Sequence, residues 1–152
     1  MPDRTVAEAS ILNIETLKRF TPVSDPLHAA VGQSLEDVPP GSSLLLAVSG
    51  GVDSLTLLHV LWELAPARQL RPVVGHFNHA QRERSDWEAC WVAAHCSALG
   101  AECIIDRFEG KVVATAREEW ARQARYAFLE RAADKTDCQW LVTGHTRDDQ
   151  VE

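Results

Sequence analysis

The stretch Leu44-Leu45-Leu46-Ala47-Val48-Ser49-Gly50-Gly51-Val52-Asp53-Ser54-Leu55-Thr56-Leu57-Leu58 decides the fold. An apolar run of strand length empties into a short Ser/Gly/Asp loop, and a leucine-rich segment with helical spacing follows. The order is strand, loop, helix. Two adjacent glycines let the backbone take positive φ and approach a ligand closely, and a helix start offers unpaired N–H groups with a partial positive charge. Such a loop is a socket for an anion. A Walker loop would need Gly-Lys-[Ser/Thr], and no lysine follows Gly51; a dinucleotide fingerprint would need a third glycine further on. The same residues also suit a plain strand-to-helix turn capped by Asp53 or Ser54.

Working outward, the apolar pattern alternates between short strands and longer helices. Upstream, residues 1–40 read as a helical extension, with one pattern over Ile11, Leu12, Ile14, Leu17 and Phe20 and a second helix over Leu27 to Leu35. Pro39-Pro40-Gly41-Ser42 then turns the chain into the first strand. Downstream, the helix that begins after the loop is expected to end before Pro66. Val73 to Asn78 reads as a second strand, and Ser85 with Glu88 as a capping box for the next helix, which Gly100 ends. Cys103-Ile104-Ile105 forms the heart of a third strand, Thr115 and Glu118 open a helix to about Ala133, and Gln139 to Thr143 is a fourth strand. Strands alternating with helices predict a doubly wound, mainly parallel α/β sheet with helices on both faces. Ligands of such sheets sit beyond the carboxyl ends of the strands, so the loops at Ser49, at Asn78-His79 and at Gly144-His145 should open on one edge.

Composition narrows the class. The chain has 152 residues, 45% hydrophobic and 24% charged, which is ordinary for one globular domain. No apolar run reaches membrane-spanning length and the N-terminus lacks a signal-peptide pattern, so a cytoplasmic protein is the default expectation. Cys90, Cys96, Cys103 and Cys138 form no C-x-x-C pair and read as buried reduced thiols. A net charge of −7 argues against broad electrostatic binding of nucleic acid, so an RNA partner would need a local basic patch.

Three further clusters carry chemistry. His76-Phe77-Asn78-His79-Ala80-Gln81-Arg82 ends the second strand; two histidines three apart on a strand point to opposite faces, which disfavours joint metal ligation. Arg122 and Arg125 share one helix face, with Glu118 a turn earlier. Their plain reading is a surface ion-pair ladder; their functional reading is contact with phosphate or developing negative charge. Gly144-His145-Thr146-Arg147-Asp148-Asp149-Gln150-Val151-Glu152 places paired carboxylates after a strand end. They can orient magnesium or hold an amine, or decorate a helix N-terminus.

The hexapeptide Ser49 to Ser54 resembles the S-G-G-x-D-S loop of the PP-loop ATP pyrophosphatases, whose fold is of the adenine nucleotide alpha hydrolase type. His76-x-Asn78-His79 with Arg82, Ala121-Arg122-x-x-Arg125-Tyr126, and Gly144-His145-x-x-Asp148-Asp149-Gln150-x-Glu152 extend the resemblance to the N-terminal domain of the tRNA-Ile lysidine synthetase family, from about Ser42 to the chain end. It departs at Ala80-Gln81, where that family commonly has Gly-Leu.

The resemblance implies a PP-loop ATP-binding domain over 41–152, incomplete at its end, with ATP and magnesium as cofactors and tRNA-Ile and free L-lysine as partners. It implies adenylation of the anticodon cytidine, then attack by the lysine ε-amine. Ser49, Gly50, Gly51, Val52, Asp53, Ser54, Asn78 and His79 would bind the nucleotide, and Asp53 and Asp148 the metal. Asp53, Arg122, Arg125 and Asp149 would carry catalysis. Residues 1–152 alone are expected to bind ATP weakly and to form no lysidine. The rival expectations are a tRNA thiolase of the same superfamily, disfavoured by the lack of C-x-x-C, and a non-catalytic ATP-binding module.

Overall fold

The computed structural model describes residues 26–110 and 117–144. Helix α1 (Pro26–Ser34) leads into β1 (Ser43–Ala47), α2 (Val52–Arg68), β2 (Arg71–Asn78), α3 (Arg84–Leu99), β3 (Glu102–Arg107), α4 (Arg117–Thr136) and β4 (Trp140–Thr143). The expected helix around Ile11 to Phe20, Thr115, and the carboxylates Asp148 and Asp149 lie outside the described residues. Among the described residues, no helix is long and apolar enough to cross a membrane.

The four strands are parallel in the order β3-β2-β1-β4, so the chain steps outward twice and returns to the far side of β1. Alternation along β1 decides what covers each face. Leu44 and Leu46 join Val74 on one face, under Leu55, Leu58 and Leu61 of α2 and Val92 and Cys96 of α3. Leu45 and Val73 point the other way, under Phe128, Leu129 and Ala132 of α4. The sheet is doubly wound, and its order reverses between β1 and β4. Gly75 keeps α4 close: a Cβ there would lie 3.3 Å from Leu45 Cδ1 and 3.4 Å from Leu129 Cδ2. Helix α1 and the turn after it share this core, with Leu35 buried beside Val31 and His28 hydrogen-bonded to Glu63 of α2 at 2.6 Å.

Several local expectations are corrected. Helix α2 does not stop before Pro66; it runs to Arg68 with the proline in its last turn, where few intrahelical bonds remain to be lost. Gln69 then takes a left-handed conformation, and Leu70 N–H closes the end on Ala65 O at 3.0 Å. Ser85 is not a cap. It sits inside the first turn of α3, and its hydroxyl accepts the Arg82 N–H at 3.3 Å. Gly100 ends α3 at φ 70°, as the sequence predicts. Of the four cysteines, Cys96 is buried and Cys103 and Cys138 are half-buried, whereas Cys90 faces solvent on α3.

Candidate nucleotide-binding site

Between β1 and α2 the chain folds its loop with its own hydrogen bonds. Ser54 Oγ donates to Gly51 O at 3.1 Å and accepts the Ser49 N–H at 3.1 Å. The single hydroxyl proton of Ser54 is thereby used, so the 3.2 Å contact between the two serines runs from Ser49 to Ser54. Gly51 N–H returns to Ser49 Oγ at 3.3 Å and completes the ring. Gly50 alone takes positive φ, at 94°, while Gly51 is the extended N-cap of α2 at φ −74°. That helix has no side-chain cap, which removes the reading of Asp53 or Ser54 as capping residues. Among the described residues, the N–H groups of Gly50, Val52, Asp53 and Ser54 have no acceptor, and they crown the positive end of α2.

A cavity of about 390 Å³ opens beside this loop at the carboxyl ends of the strands. Ala47 at the end of β1 with Val48 and Ser49 after it, His76 to Asn78 of β2 with His79 after it, and Thr143 at the end of β4 with Gly144 after it form one side. Ser85 and Glu88 of α3, and Glu118, Ala121, Arg122, Arg125, Tyr126 and Leu129 of α4, form the others. The ends of β1, β2 and β4 thus open on one edge, with Gly144 there and His145 outside the described residues. Gly144 packs on the start of α2, where an added Cβ would lie 3.6 Å from Ser54 Cα.

The electrostatics come from the arginines. Among the described residues, Arg122 and Arg125 have no carboxylate partner; instead their guanidinium carbons lie 5.9 Å and 5.5 Å from the Tyr126 ring. This is not the ladder with Glu118 that spacing alone favours. Arg82 reaches Glu88 at 3.4 Å across the mouth. Buried His76 donates from Nδ1 to Val48 O at 2.7 Å, and burial holds its pKa below the usual histidine value. Burial, then Arg82, lowers His79 likewise. Both rings are neutral near pH 7, so the positive charge facing the cavity belongs to the guanidiniums.

The structure brings Ser49, Asn78, His79, Arg122 and Arg125 to one cavity, with Gly50 to Ser54 in the adjoining loop. Asn78 is 3% exposed, and its amide is engaged by protein groups, with Nδ2 donating to Asp86 at 2.7 Å and Oδ1 accepting the Ala80 N–H at 2.9 Å. Sequence reasoning missed Glu88, which lines the cavity and whose Cβ would lie 3.6 Å from a Cβ on Gly50. Its spacing from Ser85 suggests a cap, whereas the signal for a place at the cavity is Arg82, three residues before Ser85. Asp53 Oδ2 is buried without a hydrogen-bond partner among the described residues. An orphaned carboxylate oxygen beside an anion socket fits a divalent cation.

A parallel, doubly wound sheet with a self-bonded glycine loop between its first strand and helix, and arginines lining the adjoining cavity, is the architecture of a nucleotide-binding α/β class. A family model for the PP-loop domain matches residues 24–152, and the chain belongs to that family. A tRNA(Ile)-lysidine synthase of Gloeobacter violaceus is 44% identical over 133 residues, covering 86% of this chain and 39% of the relative. Another, from Deinococcus radiodurans, is 37% identical over 135 residues, covering 85% of this chain and 22% of the relative. The chain therefore spans well under half the length of these curated relatives. Among solved structures, the U34-tRNA thiolase NcsA of Methanococcus maripaludis matches in fold, with a TM-score of 0.66 at 20% identity over 74% of this chain and 40% of that one.

Proposed function

We propose that this chain binds ATP in the cavity beside Ser49–Ser54 and supplies the adenylating half of lysidine formation on tRNA(Ile). The carrying observation is that Ser49 of the self-bonded loop lines one cavity together with Arg122 and Arg125, beside loop amides that have no acceptor among the described residues. The names of the relatives support this substrate class. In the first step the cytosine O2 attacks the α-phosphorus of ATP and pyrophosphate leaves. In the second, the lysine ε-amine attacks C2, AMP departs, and the amine loses its proton.

Each protein group has a defined task in this scheme. The amides of Gly50, Val52, Asp53 and Ser54 hold the pyrophosphate, where negative charge accumulates as the P–O bond breaks. Arg122 and Arg125 steady the adenylate, and neutral His79 with Asn78 borders the nucleoside side of the cavity. Asp53, with Asp148, would hold magnesium, which when bound neutralises phosphate charge. Asp149 orients or deprotonates the lysine amine.

The test is tRNA-dependent exchange of labelled pyrophosphate into ATP by the natural protein that carries this chain, followed by incorporation of labelled lysine into tRNA(Ile). Asp53→Asn is expected to abolish exchange. Exchange and lysine transfer both intact in Asp53→Asn and Asp149→Asn would sink the assignment, and incorporation of sulfur instead of lysine would favour a thiolase.

A further inference from the structure

The loop after β2 is held by a relay that runs away from the cavity. Asn78 Oδ1 fixes the Ala80 N–H at 2.9 Å, and Asn78 Nδ2 donates to Asp86 Oδ1 at 2.7 Å. The same Asp86 oxygen accepts Arg107 Nε at 2.9 Å, from the end of β3. Ala80 stands at φ 56°, a conformation a non-glycine residue keeps only when its surroundings impose it. Two residues on, Arg82 reaches the cavity, and His79 precedes the strained position.

We propose that Asp86, acting through Asn78, is a positioning residue that sets the 79–82 loop so that His79 and Arg82 face the nucleotide; the claim rests on the ATP reading above. The Asp86 side chain is 65% exposed, so its ion pair with Arg107 contributes little by itself. Its importance lies in the buried amide it satisfies. Without Asp86 the Asn78 amide loses its acceptor, is free to turn, and releases the Ala80 N–H. Paired with Arg107 and Asn78, the Asp86 carboxyl is held below the usual carboxylate range and stays ionised. Asn78 thus acts on the nucleotide indirectly, which its engaged amide already indicates.

The experiment measures ATP affinity of the full chain by calorimetric titration, together with the His79 titration by NMR, assigned through His79→Gln. Asp86→Ala and Asn78→Asp should each weaken ATP binding by about tenfold, the loss of one buried charge-assisted hydrogen bond. In both, the His79 pKa should rise toward 6.5 as the ring leaves its partly buried place. The double variant Asn78→Asp with Asp86→Asn exchanges donor and acceptor at equal net charge. It should recover ATP affinity to within about threefold of the starting chain.

An unrecovered double variant would show that Asn78 touches ATP directly and would overturn the proposal. So would Asp86→Ala with ATP binding and His79 titration unchanged. If the unaltered chain binds no ATP while His79 shifts and recovers as described, the ATP reading fails and the positioning role stands.

Discussion

Ser54 Oγ lies 3.1 Å from the backbone nitrogen of Ser49, across a loop whose amides at Gly50, Val52, Asp53 and Ser54 have no acceptor among the described residues. Ser54 is fully buried. Ser54→Ala deletes the acceptor for Ser49 N–H and the donor to Gly51 O together, and should cost about 1–2 kcal/mol of stability by removing two part-buried hydrogen bonds. Urea denaturation checks the stability. ATP affinity should fall in parallel, because the ring of bonds that shapes the socket is broken; unchanged affinity would remove the loop from the nucleotide site.

Arg125 is half-buried and Arg122 exposed, and among the described residues both lean on Tyr126 and neither pairs with a carboxylate. Arg125→Gln should therefore weaken ATP binding by roughly tenfold to a hundredfold, as expected for a lost charge-assisted contact, with little change in thermal stability. Titration at two salt concentrations adds a second readout: the variant should show a shallower salt dependence.

Half-buried His59 of α2 and buried His95 of α3 form a pair, with His59 Nε2 3.3 Å from His95 Nδ1. Burial, then His95, lowers the His59 pKa to about 4, and burial also lowers that of His95. The unfolded chain takes up a proton on His59 below about pH 6.5, while the folded chain resists until about 4. Stability is full above that window and falls as pH drops through it, by up to about 3 kcal/mol for His59 alone. Chemical denaturation from pH 7 to pH 4 should show the loss, and His59→Gln should flatten it.

Ala80 holds φ 56° at the position where the resembled family commonly has glycine. Relief of the left-handed strain exceeds the extra chain entropy of glycine, so Ala80→Gly should stabilise the chain by about 0.5–1 kcal/mol. Thermal melting would register the gain as a small rise in Tm, and a fall would contradict the strain argument.

The strand, loop and helix around Ser49 were legible because an apolar run beside two glycines has few other physical solutions, and the parallel sheet followed from the alternation of elements. Loop geometry was less legible. Which glycine takes positive φ depends on hydrogen bonds among Ser49, Gly51 and Ser54, which spacing does not encode. The arginines of α4 could not be separated from a surface ladder until tertiary packing set them over Tyr126 at the cavity. Asp86 and Glu88 were hidden for a related reason: a polar first turn of a helix looks the same whether it faces solvent, a relay or a ligand. Pro66 misled because a proline's effect depends on its distance from the helix end, and only the observed cap at Gln69 and Leu70 reveals that distance.

The closed ring of bonds from Ser49 through Ser54 and Gly51 has a kinetic meaning as well. A socket already shaped before its ligand arrives loses little motional freedom on capture. Encounter should then proceed without a preceding rearrangement of this loop, at a rate governed by diffusion and by the arginine field. Differences among phosphate-bearing ligands should accordingly lie in how fast each one leaves.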